Sequence, residues 1–194
     1  MLISLRQGIR AAIPDMSNLV GVILCGGESS RMGRDKGRIL KDGTPWALRM
    51  ADKLAPFGLP VVFSVNASQV DDYTVQFPGI RLVVDEVDVP GPLKGLLSVH
   101  RQIPDKDLLL LACDMVDMDQ DTIGGLLEAY RTGGPYVYFA YYDEGFYQPF
   151  CAIYTVAGLE GALGGNSLQG LLRVGRTKAL DLPNSEAFRN YNTM

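Results

Sequence analysis

The apolar positions of this chain follow two rhythms. "LVGVIL" (19–24), "PVVFSV" (60–65), "IRLVV" (80–84) and "DLLLLAC" (107–113) are short, nearly continuous apolar runs. Such runs fit strands covered on both faces. Between them, apolar residues recur at helical spacing. "TPWALRMADKLAPFG" (44–58) predicts a helix with Thr44 as N-cap, Pro45 at the first helical position and Gly58 near its end. Trp46 is expected to anchor it. A short helix is expected over 68–77. "GPLKGLLSVHRQI" (91–103) places Leu93, Leu96, Leu97 and Ile103 on one face, and "DQDTIGGLLEAYRTG" (119–133) is a helix with Asp119 or Asp121 near its N-terminus.

Strand alternating with helix predicts parallel strands joined by right-handed crossovers. The second half is less regular. "YVYFAYY" (136–142) and "YQPFCAIY" (147–154) read as aromatic-rich strands of a hairpin or β insertion beside the main sheet. Two short helices near 156–164 and 166–174 and a strand near 177–182 complete the expectation. The fold class is therefore α/β: one Rossmann-like domain over 19–194, with an open, mostly parallel sheet, helices on both faces and a small β insertion. Residues 1–18 read as an N-terminal leader, or in part as sequence upstream of a start at Met16.

In such a sheet, ligands bind at the carboxyl ends of the strands. Here those ends carry Gly26-Gly27, Asn66, Asp85 and Asp114. The loop after the first strand also carries Arg31, Arg34, Lys36, Arg38 and Lys41 within eleven residues, out of 18 Lys and Arg in the chain. About one would fall there by chance. The net charge is −4, so this is a local basic site on an acidic protein. A broad nucleic-acid surface is not expected. No apolar run reaches the ~18 residues of a membrane span. Cys25, Cys113 and Cys151 lie far apart in apolar runs. They read as buried free thiols and suit a reducing cytoplasm.

The loop has no G-x-x-x-x-G-K-[ST] and no G-x-G-x-x-G, which argues against P-loop and dinucleotide sites. What stands there is G-G-x-x-x-R-M-G-x-D-K, from Gly26 to Lys36. Adjacent glycines allow close backbone approach and can aim N–H groups at an anion. Arg31 and Lys36 can surround a polyphosphate with positive charge. Asp35 is positioned to orient one of them by an ion pair.

"LCGGESSRMGRDKG" resembles the signature of MobA-type molybdenum cofactor guanylyltransferases, L-A-G-G-x-x-x-R-M-G-x-x-K. "GPLKG" resembles that family's G-P-L-A-G, "LLACDM" its C-D-x-P turn, "QPFCAIY" its Q-P-L-x-A-L-Y strand and "NYNT" its N-x-N-T end. The resemblance implies transfer of GMP from GTP to molybdopterin or its molybdenum form, releasing pyrophosphate. A phosphate oxygen of the acceptor would attack the α-phosphorus. It implies backbone contacts to nucleotide at Leu24, Cys25, Gly26 and Gly27, triphosphate contacts at Lys36 and Arg31, and nucleotide contacts at Asn66 and Asp85. It implies Mg²⁺ at Asp114, and Asn190 and Asn192 near the pterin. Further expected partners are other cofactor-biosynthesis proteins or acceptor molybdoenzymes.

Other readings of the residues stay open. Asp114 could be a turn or cap residue. Lys94, in place of the family's alanine, could touch a phosphate or point to water. "CDMV" lacks the family's proline. Tyr136, Tyr138, Tyr141, Tyr142 and Tyr147 could floor a pterin ring or fill a core. His100 is expected to be buried rather than catalytic. A CTP-using relative, or a nucleotide-binding adaptor without activity, would share the same loop chemistry.

Overall fold

The computed structural model describes residues 16–26, 35–162, 166–189 and 191. In chain order the strands are β1 (Leu19–Leu24), β2 (Leu40–Lys41), β3 (Thr44–Pro45), β4 (Val61–Val65), β5 (Arg81–Val84), β6 (Asp107–Ala112), β7 (Tyr138–Asp143), β8 (Phe146–Tyr154) and β9 (Thr177–Asp181). The α-helices are α1 (Trp46–Leu54), α2 (Val70–Gln76), α3 (Leu93–Gln102), α4 (Gln120–Thr132), α5 (Val156–Glu160) and α6 (Leu168–Val174). Seven strands form one sheet in the order β5-β4-β1-β6-β8-β7-β9, and β2 pairs with β3 separately. Only β8 runs against the rest of the large sheet.

The apolar runs of β1 and β6 are fully buried, as their sequences predict. Their side chains alternate between two cores. Leu19 and Ile23 pack with α1 and α4 on one face, through Met50, Leu54, Ile123 and Leu126. Val20, Val22 and Leu24 pack with α3, α5 and α6 on the other, through Leu93, Leu96, Leu159 and Leu172.

Two expectations are corrected. The first helix does not begin at Thr44. Asp42 and Gly43 both have positive φ (53° and 80°) and turn the chain into a tight hairpin, in which Lys41 pairs with Thr44 and Leu40 with Pro45. Pro45 is therefore extended, and α1 starts at Trp46. The Asp-Gly pair is a strong hairpin signal that the helical pattern masked. The helix also stops at Leu54, and a 3-10 turn leads to left-handed Gly58. The second correction concerns the aromatic strands. They do not sit beside the sheet but continue it, because β8 pairs directly with β6. The β7–β8 register shifts between Ala140 and Tyr142, and buried Cys151 takes φ 81° there.

Trp46 is buried at the start of α1, and the three cysteines are free and buried, as expected. Tyr138 and Tyr141 are core residues whose hydroxyls donate to the Gly158 and Thr122 carbonyls. Tyr142 and Tyr147 instead meet edge to face at 4.9 Å toward the outside. His100 lies late in α3, partly buried, and burial lowers its pKa. The start of α3 faces the strand ends, so His100 sits away from them. Among the described residues no helix is long and apolar enough to cross a membrane.

Asp107 is a buried polar anchor at the start of β6. Its two oxygens accept from Tyr130 Oη (2.6 Å) and from the Val156 N–H (2.7 Å), tying α4 and α5 to the central strand. Replacing Asp107 with alanine orphans both donors. The Asp107→Ala variant is expected to lose about 2–3 kcal/mol of stability, and Tyr130→Phe about 1 kcal/mol. Urea unfolding midpoints check both values.

Candidate functional site

The sheet register places the candidate residues. Leu24 is level with Ser64 on one side and Ala112 on the other, and Ser64 is level with Val83. Two steps further along, Gly26, Asn66, Asp85 and Asp114 form one row. The chain runs outward from β1 through β4 to β5, then returns to β6 on the opposite side of β1. The row therefore crosses the point where strand order reverses, which is where open α/β sheets leave a crevice.

Asp85 is packed tightly into this row. Ser64 Oγ donates to its Oδ1 at 2.5 Å. A Cβ on Gly26 would collide with Asp85 Oδ2 and lie 3.3 Å from the Asn66 nitrogen. A Cβ on Gly95 would collide with Ser64 Oγ and lie 2.7 Å from Leu24 Cδ2 and 3.3 Å from Asp85 Oδ1. Both glycines are required by close approach, Gly26 within the row and Gly95 to seat α3 against it. Burial pushes the Asp85 pKa upward, while the Ser64 hydrogen bond and the Lys94 charge pull it down. Lys94, beside Gly95 at the start of α3, is half-buried.

The N–H groups of Cys25 and Gly26 both donate to the Ser64 carbonyl at 2.9 Å. They are directed into the fold, so the expected aim of the Gly26 N–H at an anion is not what this backbone does. Gly27, Arg31, Asn190 and Asn192 lie outside the described residues.

Lys36 and Asp114 meet across the crevice, with Nζ 2.9 Å from Oδ2. Both side chains are largely shielded, at 22% and 13% exposure. Helix α4 is capped by Asp119, whose carboxylate accepts from the Thr122 N–H, so Asp114 is not its cap. Asp35, expected to orient Arg31 or Lys36 by an ion pair, does not pair with Lys36, and Arg31 lies outside the described residues. Asp35 accepts from the Gly37 N–H (3.0 Å), Tyr73 Oη (2.8 Å) and Gln69 Nε2 (2.8 Å). It caps the 3-10 turn that carries Lys36.

Gln69 and Tyr73 were not singled out by sequence reasoning. Buried Gln69 donates to Asp35 and to the Cys25 carbonyl (3.1 Å) and accepts from the Asn66 N–H (2.9 Å). One side chain thus joins the loops after β1 and β4. Asn66 caps the following turn by accepting from the N–H and Oγ of Ser68. The Asn66-x-x-Gln69 capping box was the available signal. Tyr73 carried none, because its hydroxyl partner lies 38 residues away.

Lys41 Nζ contacts Asp117 Oδ1 at 2.6 Å, and Tyr191 Oη donates to Asp117 Oδ2. An open cleft of about 570 Å³, lined by Arg49, Lys53, Asp117 and Asp119 among others, flanks the loop after β6, and none of the row residues lines it. Among the described residues there is no cluster of three or more His, Cys, Asp or Glu that could hold a metal. In the crevice, Asp114 and Asp85 offer partly shielded carboxylates, and Asp114 is the one paired with Lys36. That fits a hard cation that takes most of its ligands from water and phosphate, as Mg²⁺ does, and does not fit a cage built wholly of protein.

Comparison with known proteins bears on the family and the fold. Residues 21–180 match the model of the MobA-like NTP transferase domain. The chain is 33% identical over 189 residues to a protein of Opitutus terrae named "Probable molybdenum cofactor guanylyltransferase", covering 91% of this chain and 90% of that one. It is 34% identical over 144 residues to a molybdenum cofactor guanylyltransferase of Pseudomonas putida, covering 73% and 71%. It is 29% identical to a molybdenum cofactor biosynthesis bifunctional protein of Synechocystis, of whose length it spans 40%. Among solved structures, the molybdopterin-guanine dinucleotide biosynthesis protein A of Archaeoglobus fulgidus superposes with a TM-score of 0.71 at 18% identity, over 89% of this chain and 92% of that one. A Mycobacterium tuberculosis protein solved as a complex with manganese has the same fold, with a TM-score of 0.64 at 13% identity over 85% and 88%. The chain belongs to the MobA-like NTP transferase family.

Proposed function

We propose that this protein transfers GMP from GTP to the terminal phosphate of molybdopterin or its molybdenum form, releasing pyrophosphate, with Mg²⁺ bound at Asp114. The observation that carries this reading is the Lys36–Asp114 pair at the strand-order reversal. It holds one cation and one anion where a phosphate and a hard metal ion would each need the opposite charge. The names of the relatives support GTP and the pterin acceptor, and the manganese complex of a structural neighbour supports a divalent cation.

Attack of an acceptor phosphate oxygen on the α-phosphorus forms one P–O bond. The bond to the bridging oxygen of the β-phosphate breaks and pyrophosphate leaves. No covalent enzyme intermediate is needed, so the work is positioning and charge neutralisation. Lys36 supplies a fixed positive charge to the triphosphate. Asp114, together with phosphate oxygens and water, would hold the cation. Bound there, Mg²⁺ supplies charge neutralisation at the phosphates. Asp85 and Asn66 border the nucleotide side of the row. Arg31 is assigned to the triphosphate and Asn190 and Asn192 to the pterin side.

Titration with GTP, CTP and ATP in the presence of Mg²⁺, followed by pyrophosphate release with molybdopterin, tests the reading. GTP is expected to be preferred and to be consumed only with the acceptor present. Preference for CTP, or GTP binding without turnover, would replace it.

Asp114→Asn keeps the side-chain size and removes one charge. Turnover should fall by about two orders of magnitude, the usual cost of a lost transition-state charge contact. Metal-free nucleotide affinity should hold or rise, because a repulsive charge beside the phosphates is gone. Lys36→Ala should weaken both nucleotide binding and turnover. Both variants should melt near the wild-type temperature, so normal pyrophosphate release from either folded protein would remove that residue from the mechanism.

Gln69→Ala leaves the Asn66 N–H and the Cys25 carbonyl without their partner. The variant should lose about 2 kcal/mol of stability. It should also bind nucleotide more weakly, because Asp35 and the turn carrying Lys36 lose a brace. Urea unfolding and nucleotide titration on the same preparation check the two effects.

A further inference from the structure

Lys41 and Asp117 repeat, a few residues further on, the pairing of Lys36 with Asp114. The inner pair is separated by 2.9 Å and the outer by 2.6 Å. Both join the same two stretches of chain, the 36–41 segment and the loop after β6. The outer pair has a third member. Tyr191 donates its hydroxyl to the second oxygen of Asp117. Its ring lies 5.5 Å from Lys41 Nζ and 6.1 Å from the ring of buried Trp46. Hydrogen bonds from Lys41 and Tyr191 hold the Asp117 carboxyl below the usual carboxylate range.

The two pairs face different fates during the proposed reaction. Lys36 and Asp114 must each take up a ligand, the lysine a phosphate and the aspartate a metal ion. Their mutual contact then ceases to be the clamp between the two segments. The outer group lies beyond the Lys36–Asp114 pair and can keep its contacts when that pair takes up ligands. We propose that Lys41, Asp117 and Tyr191 form a positioning triad that keeps the Asp114 loop and the Lys36 segment in register while the inner pair exchanges partners. A lone ion pair at about three-tenths exposure would be too weak for this, because water screens it. Here both carboxylate oxygens are engaged, from two separate segments, and the ring of Tyr191 rests on a buried indole. The inference rests on the proposed function and adds three residues to it.

The test compares Lys41→Met, Asp117→Asn and Tyr191→Phe with wild type, using GTP, Mg²⁺ and molybdopterin well below each melting temperature. A positioning role predicts that kcat falls about tenfold, because small misplacements of reacting groups are costly. The KM for GTP should stay within about threefold, since none of the three touches the nucleotide. Lys41→Arg should restore most of the lost kcat. Variants that melt lower yet keep wild-type kcat would show a purely structural triad and overturn the proposal. So would a loss confined to the KM for GTP. If the wild type releases no pyrophosphate from GTP, CTP or ATP, the functional reading falls and the triad's role falls with it. If the wild type turns over and the variants match it, only the triad falls.

Discussion

The parallel pairing of β1 with β4 on one side and β6 on the other is the constraint from which the site follows. It fixes the level at which each strand ends. Residues separated by up to 88 positions, such as Gly26 and Asp114, are thereby brought to one row. No loop has to search for this arrangement. Loops are needed only for the second task, which is to deliver Lys36 to Asp114. That delivery depends on Asp35, whose carboxylate accepts from its own turn, from Tyr73 and from Gln69. The sheet supplies the anionic side of the crevice, and a braced turn supplies the cation.

Close packing around Asp85 explains two of the glycines that the sequence motifs contain. Gly26 and Gly95 approach the same carboxylate from β1 and from α3. Ser64 satisfies one of its oxygens. A carboxylate partly withdrawn from water in this way has a fixed position and orientation. It can therefore discriminate among ligands by hydrogen-bond geometry, which a solvated aspartate at the end of a long loop would do poorly. The GPLKG turn thus acts mainly through its last residue, which lets α3 close against the row.

Much of this was legible in the chain. Continuous apolar runs identified β1, β4, β5 and β6, and the polar residue after each run identified the row, because strand ends are local features. The start of α4 near Asp119 and Asp121 was legible for the same reason, and Asp119 is its cap. What was hidden depended on partners distant in sequence. The bonds of Asp35 with Tyr73 and Gln69, and the Lys41–Asp117–Tyr191 group, join residues 34 to 150 positions apart. The start of α1 was misread for a different reason. Trp46 to Leu54 is a strong amphipathic helix, and its pattern extended by two residues over an Asp-Gly hairpin whose own signal was short but decisive.

The placement of charge accounts for the basic cluster on an acidic protein. Its described members are all matched with carboxylates: Lys36 with Asp114, Lys41 with Asp117 and Arg38 with Asp72. These three members therefore do not form a patch of unpaired positive charge. Arg38 and Asp72 are well exposed and their pair contributes little to stability. Lys36 and Asp114 are shielded, so neither would readily take a ligand without the other being satisfied at the same time. A nucleotide alone would leave Asp114 facing phosphate, and a cation alone would leave Lys36 beside a second positive charge. Nucleotide and cation together satisfy both. In the proposed reaction the pair would favour joint binding of the two, through one lysine and one aspartate brought together by the sheet.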